Sequence, residues 1–219
     1  MSVLQWCADN IGLLSLGFSL VSAIIGIIAL FISVHQTKLS NKQALFSRRL
    51  NVYLKFDGMV KLFQQNKQLI LSDKNHDELP YIGVDLYFVW LTNNAFLESV
   101  TEAMQHLLQQ PYHKDFLAKR EEIAMLAKEA CFVFPKKIGN EMGDFLFTYS
   151  ELLFKMYQYE ICVDSMRKQA EKECCPVEKN DMEVKLRNEY FDLVLQLDSI
   201  LSMMEKDNML RKIKKQIKL

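Results

Sequence analysis

The chain has little Gly and little Pro, the two residues that most often end helices and form turns. Its 219 residues include 7 Gly and 4 Pro. Such low numbers leave room for few turns, which excludes a loop-rich architecture. The 27 acidic and 27 basic residues are spread among Leu, Phe and Met, a mixture that is typical of long amphipathic helices. We therefore predict an all-α protein.

A surplus of one charge sign is also missing. The formal net charge is zero, so the chain as a whole has no electrostatic attraction to nucleic acid or to a membrane. The five Cys residues are not evenly spaced, as they would be in a disulfide framework. We expect four of them to lie in the reducing cytoplasm, where disulfides are rare: Cys131, Cys162, Cys174 and Cys175.

Motifs of catalysis and metal binding are absent as well. The glycine pair nearest to a phosphate-binding loop, Gly139 and Gly143, lacks the Lys-Ser or Lys-Thr that would follow it. The four His residues stand alone, without His-Glu-x-x-His or Cys-x-x-Cys. No Arg precedes a His at the spacing of helical ribonuclease toxins. We therefore predict a protein that is not an enzyme and uses no metal, no cofactor and no small-molecule substrate.

What the chain does have is one long apolar run. Residues 11–34 contain no charged side chain. As an α-helix this run is about 36 Å long, which exceeds the roughly 30 Å of a bilayer's hydrocarbon core. A soluble domain would have to cover such a helix on every side, and no other segment of the chain is apolar all round. We predict a transmembrane helix at 11–34, a short external segment at 1–10 and a helical domain at 35–219.

Small residues recur on one side of this run. They are spaced alternately by three and four positions, as in a heptad repeat, whereas bulky aliphatic and Phe side chains cover the remaining circumference. Small side chains let helices approach closely in lipid, so this face predicts self-association into a homo-oligomer. The alternative is that Gly and Ser are simply common in membrane helices. The residues of this small-residue face are Gly12, Ser15, Ser19, Ser22, Gly26, Ala29 and Ser33.

The charges that flank the run predict its orientation. Asp9 is the one charged residue among the ten that precede it, whereas a series of basic residues follows it. By the positive-inside rule the N-terminus lies outside and the large domain lies in the cytoplasm, as in a single-pass protein of the cell inner membrane. A secretory signal peptide is the competing interpretation, but the basic segment before the run and the cleavage site after it are missing. The basic residues are Lys38, Lys42, Arg48, Arg49 and Lys55.

Helical periodicity continues after the apolar run. The first helix is expected to extend to about Leu71, and a polar loop follows it. A second helix is predicted from about Tyr81 to Gln109. Its first part, 81–97, is apolar enough to raise a second membrane pass as an alternative, although its Asp and Asn side chains argue against that pass.

The C-terminal half is predicted to form three amphipathic helices. They cover 113–133, 136–173 and about 180–218, with Pro135 and Pro176 between them. Buried positions in the second and third helices alternate by four and three residues, which is typical of a coiled coil.

A basic amphipathic tail at 210–219 ends the chain. It combines Ile213 and Ile217 with basic side chains, each of which contributes roughly 1 kcal/mol on an anionic leaflet. The tail is predicted to contact a membrane or nucleic acid, and a solvated helix end favoured by the helix dipole is the alternative. The candidate basic contact residues are Arg48, Arg49, Arg211, Lys212, Lys214, Lys215 and Lys218.

Two stretches resemble a loose group of bacterial proteins with one N-terminal span and a helical cytoplasmic domain. They are Leu45-Phe46-Ser47-Arg48-Arg49-Leu50-Asn51-Val52-Tyr53 and Cys131-Phe132-Val133-Phe134-Pro135-Lys136-Lys137-Ile138. Within that group, the size and layout are similar to the membrane effectors encoded beside retron reverse transcriptases in anti-phage operons. The resemblance implies a protein that a reverse transcriptase and its RNA-DNA hybrid hold silent until infection, and that then damages the inner membrane. It supplies no catalytic residues, and such effectors are expected to have two spans.

The sequence thus supports two functional hypotheses. The first is a membrane-perturbing effector of anti-phage defence, whose small-residue face forms the oligomer and, with its serines turned inward, lets ions leak. The second is a non-catalytic membrane anchor or receptor, whose span only tethers a helical partner-binding domain.

Overall fold

A computed structural model describes residues 11–72, 83–173 and 181–217, and these residues form helices joined by turns, with no strand among them. The all-α prediction is therefore confirmed. A 3-10 helix, Glu98–Met104, lies between the second and third α-helices. The α-helices are α1 (Ile11–Ser72), α2 (Val84–Thr92), α3 (Tyr112–Val133), α4 (Lys136–Glu173), α5 (Asp181–Lys206) and α6 (Met209–Gln216).

The chain divides into two compact units, residues 1–47 and residues 48–219. Helix α1 has 62 residues and includes both the predicted span and the predicted first helix of the domain. The first unit contains the apolar part of α1. The second unit contains the remainder of α1 and all the later helices, and it has the hydrophobic core.

Helix α4 supplies the largest share of that core. It packs against α2, α3, α5 and the 3-10 helix. Phe145 meets the ring of Phe56 on α1 edge-on, with the ring centroids 5.3 Å apart, and lies 6.4 Å from that of Phe63. The predicted four-and-three spacing is confirmed from Ile138 to Val163, whereas the last predicted position, Met166, is only partly buried. The buried positions are Ile138, Met142, Phe145, Tyr149, Leu152, Met156, Tyr159 and Val163.

Helices α3 and α4 cross closely, and two glycines permit this. A Cβ at Gly139 would lie 2.7 Å from the carbonyl oxygen of Ala130, and one at Gly143 would lie 3.2 Å from that of Ala127. Such contacts leave no room for a side chain at Gly139. The predicted break at Pro135 is confirmed, because α3 ends at Val133 and α4 begins at Lys136.

The predicted helix from about Tyr81 to Gln109 is wrong. Helix α2 has nine residues and ends at Thr92. Asn94 then accepts hydrogen bonds from the backbone N–H groups of Phe96 and Leu97, both at 2.9 Å, and this Asn turn competes with the helix. At about 13.5 Å, α2 is too short to cross a bilayer. Its side chains at Phe88 and Leu91 are fully buried, so the described part of 81–97 belongs to the core.

The predicted single helix over about 180–218 is interrupted. Helix α5 ends at Lys206, and Asn208 adopts a left-handed conformation (φ 51°) before α6 begins. Asn tolerates this conformation better than most residues do. The five predicted core positions of this segment, Tyr190, Val194, Leu197, Leu201 and Met204, are nevertheless buried.

Candidate functional site

The apolar part of α1 exposes its side chains around its whole circumference. Leu16 and Phe31 are 71% and 73% exposed, and the other large side chains of 16–34 are exposed as well. Among the residues that the structure describes, α1 is the one helix that is long and apolar enough to cross a membrane. A helix of this kind exposes a surface that water solvates poorly and that lipid accommodates.

The small-residue face lies on one side of α1. At about 100° per residue, Gly12 to Ser33 occupy an arc of roughly 100°. A Cβ at Gly12 or Gly26 would have no neighbour within 4 Å, and the Ser15 hydroxyl donates to the carbonyl oxygen of Gly12 at 3.0 Å. The face is therefore open to close approach. That sister helices occupy it stays a prediction.

Arg49 has an internal role that its sequence context did not reveal. Its Nε donates to the carbonyl oxygen of Val133 at 2.6 Å, and Nη1 donates to that of Gln216 at 3.3 Å. The guanidinium also lies 5.8 Å from the centre of the Phe134 ring. One side chain thus joins α1 to the C-terminal ends of α3 and α6. Its predicted contact with lipid or nucleic acid stays a prediction.

This contact also joins the two stretches that carry the resemblance described above. Arg49 belongs to the stretch 45–53, and Val133 and Phe134 belong to 131–138. Backbone carbonyls at a helix C-terminus have no partner within the helix, so a guanidinium is well suited to them. The contact of Arg49 with Val133 and Phe134 therefore explains both stretches as parts of one packing arrangement.

Helix α6 separates its apolar and basic residues. Met209 and Ile213 are buried in the core, and Ile217 packs against it. Arg211, Lys212, Lys214 and Lys215 are exposed. The apolar side of the predicted amphipathic tail is therefore already occupied by the protein. Arg48 is exposed too, whereas Lys218 lies outside the described residues.

A second group of charged and polar side chains lies on α4 and includes one partner, Glu183, on α5. The Tyr159 hydroxyl donates to Oε1 of the fully buried Glu183 at 2.8 Å. Burial, together with this carboxylate, raises the pKa of Tyr159. Glu160 is also buried and accepts from Nη1 of Arg167 at 3.2 Å, and burial raises the pKa of its carboxyl although Arg167 opposes this. No pattern of residues indicated this group, because Glu on an amphipathic helix is normally exposed.

Two histidines, His113 on α3 and His106 in the segment that precedes it, contact Tyr side chains. His106 stacks on Tyr112 at 4.2 Å, and Nδ1 of His113 lies 2.9 Å from the Tyr157 hydroxyl. That hydroxyl also accepts from the backbone N–H of Leu108 at 3.0 Å. Within the described ranges, no three His, Cys, Asp or Glu residues are placed to hold a metal ion. Of the cysteines, Cys131 is exposed and Cys162 is partly buried, while Cys174 and Cys175 lie outside the described residues.

The second unit also has shallow surface grooves. The largest of those described holds about 560 Å³ and lies between α4 and α5. Its lining residues are Ile161, Cys162, Met166, Met182 and Leu186, together with the polar Gln158, Ser165 and Gln169. Its lining is mostly apolar and contains Met, a side chain that adapts to differently shaped partners.

Compared with family models, with curated proteins and with solved structures, the chain matches none of them. Its function has to be argued from its own residues.

Proposed function

We propose that this protein is a membrane-embedded effector whose apolar helices associate in the bilayer and impair the integrity of the inner membrane. The observation that carries the proposal is the apolar part of α1, which belongs to a helix long enough to cross a membrane and exposes every large side chain of residues 16–34. In water this surface would be unfavourable by roughly 25 cal/mol per Å². Lipid removes that cost.

The small-residue face supplies the means of association. In lipid, apolar side chains gain nothing by leaving acyl chains for one another, so close backbone contact and hydrogen bonds drive assembly. Gly26 has no neighbour within 4 Å of a Cβ, and the exposed hydroxyls of Ser19 and Ser22 lie on the same side. An oligomer with these hydroxyls inward has a polar interior that lets ions pass.

The orientation follows the charge asymmetry of the sequence. Basic residues that follow the apolar run favour the cytoplasmic side. The second unit, with its buried core, then lies in the cytoplasm, where it receives the activating signal.

The biological setting comes from the resemblance alone. In an anti-phage system of the retron type, a reverse transcriptase with its RNA-DNA hybrid would restrain the second unit until infection. Release would then lead to growth arrest or death of the infected cell.

The test combines self-association with membrane permeability. Replacement of Ser22 and Gly26 by Leu fills the small-residue face, whereas the matched control replaces Ile24 and Ile28 by Leu on the bulky side. Energy transfer between labelled chains in vesicles reports association, and a potential-sensitive dye in expressing cells reports leakage. We expect the face variant to lose association about tenfold and to stop depolarisation, and the control to keep both. Equal behaviour of the two variants would overturn the proposal.

The second candidate function is a membrane anchor or receptor that binds a partner through its helical unit. The mostly apolar groove between α4 and α5 favours it. An anchor is tolerated when overexpressed, and filling the small-residue face leaves its partner binding intact. Depolarisation of expressing cells therefore distinguishes the two functions.

A further inference from the structure

We propose that one end of the second unit, where α3, α4 and α6 meet, binds anionic phospholipid headgroups and uses Phe132 as its apolar anchor. The proposal rests on the proposed function, because it requires α1 to lie in a bilayer, and it names the lipid class that the domain recognises. This basic end surface consists of Phe132, Lys136, Arg211, Lys212, Lys214 and Lys215, all of which are exposed.

Arg49 brings the parts of this surface together. Its guanidinium contacts the carbonyl oxygens of Val133 and Gln216, so the last turns of α3 and α6 are neighbours. Lys137, at the start of α4, pairs with Asp207, which precedes α6. The chain therefore places Phe132, Lys136 and the basic side of α6 around one end of the bundle.

The apolar residues of α6 are not available for a membrane. Met209 and Ile213 are 1% and 0% exposed because they belong to the core. A helix that lies in a membrane interface normally buries such a side in the acyl region. The basic end surface consequently needs another apolar group if it is to enter the interface.

Phe132 is that group. Its side chain is 87% exposed, the highest value among the large hydrophobic residues of the described chain, although the next two residues, Val133 and Phe134, are buried. On membrane-surface helices, Phe side chains enter the boundary between the headgroups and the acyl chains. Phe132 lies at the same end of the bundle as the basic side of α6, and a combination of an apolar ring and basic groups matches the chemistry of an anionic leaflet.

The charge of α6 is not neutralised within the helix. Its sequence, Met209–Gln216, contains four basic residues and no acidic one. Outside the helix, Asp207 pairs with Lys137, and Lys212 interacts electrostatically with Asp207 and Glu141. The attraction of such a cluster to anionic headgroups acts over about 10 Å at 0.1 M salt. We therefore expect strong salt dependence.

Chain connectivity favours lipid over nucleic acid as the occupant. Arg48 follows Val34, the end of the apolar run, by 14 positions. Even a fully extended chain at about 3.5 Å per residue would keep the second unit within about 50 Å of the bilayer. Such tethering gives the leaflet a high effective concentration at this surface.

The test places a single indole at the anchor in the full-length chain reconstituted into vesicles, after Trp6→Phe and Trp90→Phe have removed the two natural indoles. Phe132→Trp is compared with Leu69→Trp, because Leu69 is also exposed and lies 21 positions beyond Arg48 on α1, about 32 Å along the helix. The vesicles contain phosphatidylcholine with brominated acyl chains, with or without phosphatidylglycerol. We expect the indole at 132 to be quenched about twofold more strongly with phosphatidylglycerol, and the indole at 69 to be unaffected.

Charge reversal at Arg211, Lys212, Lys214 and Lys215 should abolish the extra quenching at 132, as should high salt. Quenching at 132 that equals quenching at 69 in both lipids would overturn the proposal. The same would follow if a single-stranded oligonucleotide bound these four residues and displaced them from anionic vesicles, since the surface would then be a nucleic-acid site. Energy transfer between chains is measured in the same vesicles, so a loss of self-association, which contradicts the proposed function, is distinguished from a loss of headgroup binding. A chain that fails to remain in the vesicles contradicts both.

Discussion

Arg49 Nε lies 2.6 Å from the carbonyl oxygen of Val133, across 84 positions of sequence. With its second bond, to the carbonyl oxygen of Gln216, Arg49 holds the C-terminal ends of α3 and α6 together. This arrangement shows that a basic residue that follows an apolar run can hydrogen-bond within a domain.

Replacement of Arg49 by Met should destabilise the second unit by about 1.5–3 kcal/mol, because it removes hydrogen bonds from a charged group to two carbonyls. Arg49→Lys should recover only part of this, since one ammonium cannot reproduce the planar fork of donors. Thermal unfolding of the full chain in detergent, followed by circular dichroism, measures both. Arg48→Met is the control, because Arg48 is exposed. A change as large at Arg48 as at Arg49 would refute this role.

Gly139→Ala should destabilise the protein by about 1–3 kcal/mol, because its Cβ would clash with α3. The new methyl group would lie 2.7 Å from the carbonyl oxygen of Ala130 and 2.8 Å from the Cα of Cys131. Gly58→Ala is the matched control, since its nearest neighbour, Nδ2 of Asn94, would be at 3.5 Å. There the better helix propensity of Ala should stabilise by up to about 1 kcal/mol. Denaturant unfolding should give opposite signs for the two variants.

Tyr149→Phe should cost about 1–3 kcal/mol, because it leaves a buried carbonyl without its donor. The Tyr149 hydroxyl donates to the carbonyl oxygen of Leu91 at 2.6 Å, in the last turn of α2, where helix carbonyls lack partners. Burial raises the pKa of Tyr149, so the hydroxyl keeps its proton at all ordinary pH values. Tyr53→Phe, which loses a more exposed bond to Asp57, should change stability by about 0.5 kcal/mol or less. Similar losses at the two positions would contradict the importance of the buried bond.

Glu160→Gln should make the protein less sensitive to pH. Burial raises the pKa of this carboxyl, with Asp85 and Asp164 adding to the effect and Arg167 opposing it. The folded state therefore holds this proton at a pH at which the unfolded chain has lost it, and stability falls as the pH rises from the ordinary Glu pKa through the raised value. Gln does not titrate, so the variant should gain stability relative to the natural chain across that window. Melting temperatures at a series of pH values provide the measurement, with the exposed Glu121→Gln as the control. If the stability gain of Glu160→Gln over the natural chain instead became smaller as the pH rises, the pKa of Glu160 would be shifted in the opposite direction.

Much of the helical pattern was predictable because apolar residues repeat along it. The bounds of α4 were predicted correctly from Pro135 and the following periodicity, and the buried residues of α5 from Tyr190 to Met204 follow the same rule. The segment 81–109 was not predictable in this way. Its composition favours a helix, but Asn94 bonds to the backbone of Phe96 and Leu97 and redirects the chain.

Part of the candidate site was likewise predictable from the sequence, and part was not. The small-residue face of α1 is visible in the sequence, because Gly and Ser at alternating spacings need only helical geometry to fall on one side. The role of Arg49 and the burial of Ile213 are not visible, since each depends on contacts between segments far apart in sequence. The pair Gly139 and Gly143 lacks the residues of a phosphate-binding loop, and its spacing of four places both glycines on the side of α4 that contacts α3.

Local periodicity and composition were enough to establish an all-α chain with one helix suited to a bilayer, because helix formation and lipid compatibility are properties of adjacent residues. Packing between distant helices decided the rest. It buried the apolar side of α6, engaged Arg49 with Val133 and Gln216, and left Phe132 exposed at the same end of the bundle. Burial is set by which surfaces meet, and no short stretch of sequence contains that information.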